Sequence, residues 1–192
     1  GGIYLYDSHP KIEDITLSGN SASHGGGIYC SYSNPSLENM LITENITSSE
    51  GGGIRCNYSS PSLNNLIISS NSAGSGGGIS CSNSNPNITN LSIIANSASA
   101  GGGISCYRSS PNILNVIIDG NSAIWGGGLQ CNQSSPSFEK VSVTNNLASD
   151  DGGGMHYVFN SSSNYNIKNV TFANNFANDD GGGIYFESSN PL

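Results

Sequence analysis

The chain has 192 residues, of which 26 are glycine, 27 asparagine and 36 serine, and only 9% are charged. Glycine, serine and asparagine are weak helix formers, so this composition excludes a mainly helical protein. Thirteen acidic and five basic residues give a net charge of −8, which argues against nucleic acid and against an anionic membrane surface as partners. No apolar run approaches the roughly 18 residues of a membrane span, so no membrane insertion of this segment is expected.

A motif of three glycines and one apolar residue recurs about every 25 residues along the chain. The apolar residue, called the anchor below, occupies eight positions: Ile3, Ile28, Ile54, Ile79, Ile104, Leu129, Met155 and Ile184. A column of asparagines keeps the same register: Asn20, Asn45, Asn71, Asn96, Asn121, Asn146 and Asn175. Short repeats that hold one register stack on one another, since a single repeat cannot bury its own apolar face.

Apolar residues alternate within each repeat, as in Ile28-x-Cys30 and Met40-x-Ile42, which is the period of a β-strand. Glycine, asparagine and Ser-Pro sequences separate these segments, so each strand is predicted to span only three to five residues. Three such strands per repeat, each paired with its equivalent in the next, form a parallel β-helix, and its crossovers are right-handed. The sequence therefore predicts an all-β, right-handed parallel β-helix of about seven coils over residues 1–192, a single domain and an uncapped fragment of a larger protein.

The glycines and asparagines have predicted roles at the corners of the coil. Glycine permits positive φ and close approach of neighbouring backbones at a tight corner. The asparagine column is expected to lie in a turn, to tolerate the left-handed region and to form hydrogen bonds along the stack.

All five cysteines fall in one column, two residues after the anchor, and are expected to point inward: Cys30, Cys56, Cys81, Cys106 and Cys131. Leu5, Tyr157 and Phe186 take the same place in the outer repeats, which favours a packing role and buried free thiols. Disulfides between neighbours and a metal site are the alternatives. Parallel side-chain vectors oppose disulfides, and a zinc site needs ligands that converge on a point.

Aromatic and basic residues on the outward side of the first strand form the candidate glycan-binding set: Tyr4, Tyr29, Arg55, Tyr32, Tyr58, Tyr107 and Arg108. Tyrosine rings stack on sugar rings, and polar side chains hydrogen-bond their hydroxyl groups. The alternative interpretation is that tyrosine is a common strand residue on any pleated surface.

Two groups of carboxylates are candidates for a functional site. Asp150-Asp151 and Asp179-Asp180 precede successive glycine corners, and the two pairs form a candidate calcium site, with plain solvated turns as the alternative. Glu13 and Glu38 occupy equivalent positions in adjacent repeats, at a spacing that resembles the carboxylate pair of a retaining glycosidase. No cofactor other than this calcium ion is expected.

Two further features bear on function. Leu41, Ile67 and Ile117, with Ile94 beside them, are expected to point outward and to form an apolar patch that a neighbouring segment or partner covers. His9, His24 and His156 fall on different coils or faces, so no nucleophilic triad is predicted.

The repeat resembles the polymorphic outer-membrane protein repeats of bacterial surface autotransporters, which alternate GGxI with FxxN. The first motif stands as Gly25-Gly26-Gly27-Ile28 and its copies, and the strict form of the second occurs at Phe172-Ala-Asn-Asn175. The cysteine and Ser-Pro columns depart from that family. The resemblance implies a secreted or cell-surface bacterial protein, often adhesive. The β-helix fold also carries polysaccharide lyases, so the fold alone does not decide the function.

We expect a non-catalytic segment that acts as a rigid stalk or an adhesive surface, with a surface glycan or a host or neighbouring protein as partner. The first alternative is a carbohydrate-active enzyme whose catalytic elements lie mostly outside the chain. Its cleft would need long insertions, and only the interval around residues 158–166 is expanded. The second alternative is a filament subunit that associates end to end through open strand edges.

Overall fold

The structure is a computed structural model of the chain, and it describes residues 1–159 and 166–188. These residues form a parallel β-solenoid of about seven coils, repeated about every 25 residues, without a helix. The predicted fold class is therefore confirmed. Most of the expanded interval, residues 160–165, lies outside the described residues.

Sheet 1 begins at the anchor of every coil, and its strands pair in parallel with anchor opposite anchor. Its eight strands are Ile3–Tyr6, Ile28–Ser31, Ile54–Asn57, Ile79–Ser82, Ile104–Tyr107, Leu129–Asn132, Met155–Phe159 and Ile184–Ser188. The constant register follows from the repeat, since a shift by one residue would move every inward side chain to the outer face.

Sheet 2 is longer than the sequence predicted. Its strands are Lys11–Glu13, Thr16–Ser18, Ser36–Thr43, Ser62–Ser69, Asn87–Thr89, Ser92–Ile94, Asn112–Asp119, Ser137–Thr144 and Asn166–Ala173. Five of these span eight residues, so the predicted limit of three to five residues is wrong for them. A residue with positive φ, such as Asn39 at 53° or Asn65 at 55°, bends each long strand without ending its pairing.

Sheet 3 is the narrowest and closes the coil. Its strands are Ser21–Ala22, Ile46–Thr47, Ser122–Ala123, Leu147–Ala148 and Phe176–Ala177. Single parallel bridges join Ile46, Ser72, Ser97 and Ser122, so the same ladder continues through the middle coils.

Left-handed residues make the corners. The first glycine of each triplet has positive φ, for example 62° at Gly76. The third corner departs from prediction, because positive φ falls on Glu44, Ser70 and Ala95, each one residue before the asparagine column. The asparagines are thereby released from the corner, and their side chains turn into the coil, where Asn45, Asn71, Asn96, Asn121 and Asn146 are buried.

The interior is a narrow column of apolar side chains along the axis. One coil contributes five of them to the core: Ile54, Cys56, Leu63, Leu66 and Ile68. Burial of an aliphatic side chain of this size contributes about 1.5–3 kcal/mol, and each layer contacts equivalent layers above and below.

Candidate functional site

A row of exposed tyrosines follows the ends of the first three sheet 1 strands. Tyr6, Tyr32 and Tyr58 are 62%, 52% and 53% exposed. The Tyr32 and Tyr58 rings are stacked, with centroids 5.3 Å apart and planes at 4°, and Tyr6 meets Tyr32 edge-on at 6.2 Å. Tyr32 and Tyr58 have positive φ of 51° and 47°, which is uncommon for a bulky side chain. We call these three residues the tyrosine row.

Arg108 lies at the same corner as Tyr32 and Tyr58, two coils beyond Tyr58, and is also left-handed. Its guanidinium carbon lies 5.1 Å from the centre of the Tyr107 ring, and its Nε donates a hydrogen bond to Gln133 Oε1 at 2.9 Å. A cation over an aromatic face is attracted by the ring quadrupole. The predicted glycan residues Tyr32, Tyr58, Tyr107 and Arg108 therefore share one exposed edge of the rod.

The other predicted glycan residues form a separate cluster. Tyr4 and Tyr29 have ring centroids 5.2 Å apart, and Arg55 lies 5.4 Å from the Tyr29 centroid. The Arg55 side chain is only 11% exposed and forms an ion pair with Glu50. The segment before the glycine corner, which contains Glu50, therefore covers most of the Arg55 side chain. A cavity of about 220 Å³ remains beside Tyr4, His24 and Tyr29. Burial, followed by the charge of Arg55, lowers the pKa of His24.

Three residues of sheet 1 that align with Arg55 are covered as well. Ser80, Ser105 and His156 retain only 4%, 6% and 5% exposure. Ser75 Oγ, from the segment before a glycine corner, donates to Ser105 Oγ at 2.9 Å. Among the outward positions of sheet 1, Tyr4, Tyr6 and Tyr107 are the large side chains that stay exposed, at 62%, 62% and 40%.

The four predicted calcium aspartates are partly used in hydrogen bonds. Trp125 Nε1 donates to Asp150 Oδ2 at 2.7 Å, and the Asp180 amide donates to Asp151 Oδ1 at 2.9 Å. A hydrogen bond with Asp150 and the charge of that carboxylate raise the pKa of Asp179. Within residues 1–159 and 166–188, no three His, Cys, Asp or Glu side chains are arranged to hold a metal ion. The calcium site stays a prediction from sequence.

His156 is the most enclosed histidine among the described residues. Its ring stacks on Tyr185 at 5.2 Å and 12°, and its Nε2 lies 3.7 Å from Glu187 Oε2. Burial lowers the pKa of His156, and the nearby carboxylates of Glu187, Asp151 and Asp150 oppose that shift in the order given.

The two equivalent glutamates lie opposite each other in sheet 2, as the register required. Lys11 Nζ lies 2.7 Å from Glu13 Oε2 and 3.5 Å from Glu38 Oε2, so one ammonium bridges both carboxylates. This exposed arrangement is an ion-pair network. It does not produce the pair of differently tuned carboxylates that glycosidases use.

The five cysteines are buried free thiols in one line, and register pairs each with its neighbour, as in Cys81 with Cys106. Burial raises the pKa of the Cys30 thiol, and hydrogen bonds with Cys106 and Cys56 raise that of Cys81. These thiols are packing groups in the structure, and none is placed at a surface site.

Buried asparagines form a continuous hydrogen-bonded series along the stack. In the central coil, the Asn96 side-chain oxygen accepts from the backbone and side-chain nitrogens of Asn71, at 2.9 and 3.0 Å. The Asn96 side-chain nitrogen donates to Asn121 Oδ1 and to the Ile68 carbonyl, each at 3.0 Å. The same four contacts recur at neighbouring coils, so each amide satisfies its polar atoms inside the core.

A second series of this kind was missed from the sequence. Serines two residues before the prolines are buried. Each of their hydroxyl oxygens accepts a hydrogen bond from the backbone amide of the equivalent serine in the preceding coil. In one coil, the Ser84 amide donates to Ser109 Oγ at 3.0 Å, and Ser84 Oγ donates to the Ser82 carbonyl at 2.7 Å. The Ser-x-Pro column was the available signal, but the sequence pattern indicated these positions only as breaks between strands.

The outward apolar residues are exposed as expected. Leu41, Ile67 and Ile117 are 36%, 50% and 49% exposed. A shallow groove of about 350 Å³ lies beside Leu41 and Ile67 on sheet 2.

Comparisons with known proteins gave two matches, both to family models. The family model described as right handed beta helix region matches residues 1–172, and the Chlamydia polymorphic membrane protein repeat matches residues 169–187. Searches of curated proteins and of solved structures gave no match. The second match covers the strict Phe172-Ala-Asn-Asn175 motif and supports the resemblance drawn from it, whereas the first covers most of the chain. The chain therefore belongs to the right-handed β-helix family and carries a repeat of the polymorphic membrane protein type.

Proposed function

We propose that the chain is a rigid, surface-exposed segment of a bacterial autotransporter-like protein, and that the tyrosine row is its adhesive surface for glycans. The polymorphic membrane protein repeat supports a surface location, since that family implies bacterial outer-membrane or surface proteins. The coils stack in one register over the described residues, which suits a stalk that holds a binding surface away from the cell.

The observation that carries the adhesive role is the exposure of Tyr6, Tyr32 and Tyr58 in one contiguous row. Three large aromatic side chains that remain more than half exposed are unusual on a surface otherwise rich in serine and asparagine. Aromatic rings with a polar edge are the side chains enriched at recognition sites, where they supply large contact area at low entropic cost.

The enzyme and filament alternatives lack comparable support. The glutamate pair that resembles a glycosidase site is bridged by Lys11 in an exposed ion-pair network. No feature of the described residues favours self-association over an exposed binding surface.

The adhesive role is tested on an array of immobilised oligosaccharides with the 192-residue chain. We expect the double variant Tyr32→Ala/Tyr58→Ala to lose at least about tenfold in binding to the glycans that the wild type binds. The matched control is Ile67→Ala/Ile117→Ala, which removes two equally exposed large side chains from sheet 2. Equal losses in both variants, or no glycan bound by the wild type, would remove the tyrosine row as the adhesive surface.

A further inference from the structure

The left-handed column that carries Tyr32 and Tyr58 has a gap. Successive coils place Tyr32, Tyr58, Asn83, Arg108 and Gln133 at the same corner, all with φ between 47° and 51°. Tyr32 and Tyr58 lie in adjacent coils, and their ring centroids are 5.3 Å apart with the ring planes parallel to within 4°. The next coil supplies only the short Asn83, and the following coil restores a flat, extended group at Arg108. The column of flat groups is therefore interrupted for one coil.

The gap has the width of one ring. Tyr58 and Arg108 are two coils apart, about 10 Å at the usual strand spacing of about 4.8 Å. A ring placed midway lies about 5 Å from each side, close to the 5.3 Å at which Tyr32 and Tyr58 already stack. Tyr32 covers one face of the Tyr58 ring, and the opposite face looks over Asn83.

The floor and the far wall of the gap are polar. Asn83 Nδ2 donates to Ser82 Oγ at 3.4 Å, which leaves amide and hydroxyl groups at the base. Arg108 is held from two directions, by its Nε hydrogen bond to Gln133 and by the Tyr107 ring beneath its guanidinium. These two contacts restrain the Arg108 side chain, which reduces the side-chain entropy that a ligand must overcome.

We propose that Tyr58, Ser82, Asn83, Tyr107 and Arg108 form a slot that binds one pyranose ring of a glycan. The apolar face of the sugar stacks on the Tyr58 ring, and the guanidinium of Arg108 donates to hydroxyl or carboxylate oxygens of the same residue. The polar floor favours a sugar over an aromatic side chain, because sugar hydroxyls can hydrogen-bond the polar groups of Asn83 and Ser82 that an aromatic ring would only cover. This inference rests on the proposed adhesive function and identifies where on that surface the sugar binds.

The test is a substitution that places a tyrosine side chain inside the slot. Asn83→Tyr adds the ring that the column lacks, at a corner whose φ of 49° is the one that Tyr32 and Tyr58 already adopt. The matched control is Asp7→Tyr, which places the same side chain at the equivalent corner of the first coil, where φ is 46°. The probes are immobilised oligosaccharides of neutral pyranoses and of hexuronic acids, with thermal melting to verify that each variant is folded.

We expect Asn83→Tyr to weaken glycan binding at least about tenfold while Asp7→Tyr binds like the wild type. Arg108→Gln separates the two sugar classes, because loss of the charge weakens uronic acids more than neutral sugars if a carboxylate is bound. If the wild type and Asn83→Tyr bind equally and only Tyr32→Ala/Tyr58→Ala loses binding, the slot is wrong and the adhesive surface stands. If the wild type binds no sugar, both are wrong.

Discussion

Single buried asparagines carry much of the backbone hydrogen bonding inside this coil. Asn96 is fully buried, and its one side chain satisfies the Asn71 amide and the Ile68 carbonyl, which belong to neighbouring coils. It also links the amides of Asn71 and Asn121. A shorter or apolar side chain leaves these buried groups without partners, and each such group costs about 1–3 kcal/mol.

The substitution Asn96→Ala should therefore lower the free energy of unfolding by about 3 kcal/mol, with more than one buried group left unpaired. The control is Asn112→Ala on the outer face of sheet 2, where the side chain is exposed and accepts one hydrogen bond from Ser137. We expect that variant to change stability by less than about 1 kcal/mol. Urea unfolding curves give both values, and similar losses at the two sites would contradict the role assigned to the buried amide.

His156 makes stability depend on pH. Burial places its folded-state pKa below the ordinary value of 6.5, so the unfolded chain binds a proton more readily than the folded one. The stability that the neutral ring contributes is present above pH 6.5 and is lost as the pH falls through the folded-state pKa. The carboxylates of Glu187, Asp151 and Asp150 reduce this effect without reversing it.

We expect the melting temperature to fall between about pH 7 and pH 5, and the substitution His156→Gln to reduce that fall. His24 is the natural control, since burial and Arg55 also lower its pKa but it lies beside an open cavity at the other end of the chain. His24→Gln should retain most of the slope. A melting profile for His156→Gln that parallels the wild type across this range would show that the ring does not control the dependence.

At the scale of the structural element, the glycine corner sets how closely coils stack. A Cβ on Gly102 would lie 2.4 Å from the Gly127 carbonyl oxygen and 2.5 Å from that of Ser122. Both contacts are with backbone, which cannot move aside without separating two coils. The second glycine of a triplet is thus required by space, and the first by both space and its positive φ, since a Cβ on Gly101 would lie 2.3 Å from the Ile104 carbonyl oxygen. A lone corner glycine such as Gly120 is required by its φ alone.

This distinction predicts different costs for two alanine substitutions. Gly102→Ala should lower stability by about 3 kcal/mol or more, or prevent folding, because the added methyl group forces neighbouring coils apart. Gly120→Ala meets no atom within 4 Å and changes only a residue with φ of 62°, so its cost is about 1–2 kcal/mol. Circular dichroism and urea midpoints compare the two, and a larger loss at Gly120 would reverse the explanation.

The sequence predicted the coil, its period and its register, because columns of identical residues at a fixed interval reflect stacking directly. It did not predict the eight-residue strands of sheet 2. Asparagine between apolar segments predicted strand breaks, and Asn39 and Asn65 do bend the strand with positive φ, but pairing with neighbouring coils continues on both sides of the bend. Local turn signals therefore overestimate strand breaks where a stacked neighbour holds the ladder.

The candidate site was predicted in part. Outward alternation in sheet 1 predicted which tyrosines face away from the core, and Tyr4, Tyr6 and Tyr107 are exposed. It did not predict that Glu50 covers Arg55, because a period of two residues contains no information about the segment before the glycine corner. The gap at Asn83 depends on comparing ring spacing with coil rise, and that requires coordinates.

The whole molecule is quasi-one-dimensional, since each coil contacts only the coils beside it. Opening an end coil breaks one interface, whereas opening a central coil breaks two, so local stability should rise toward the middle of the stack. The buried thiols report this gradient, because one of them occurs in each of five successive coils. Burial raises the pKa of the Cys30 thiol, so reaction with an alkylating reagent requires the coil to open first.

In native buffer, we expect Cys30 in the second coil to be alkylated at least about tenfold faster than Cys81 in the fourth. Timed labelling with iodoacetamide, followed by peptide mass spectrometry, measures the rate at each cysteine of the unmodified chain. In denaturant all five thiols should label together, which also verifies that none is held in a disulfide. Equal native rates at Cys30 and Cys81 would show instead that the rod opens as one cooperative unit, with coupling between coils strong enough to suppress fraying from the end.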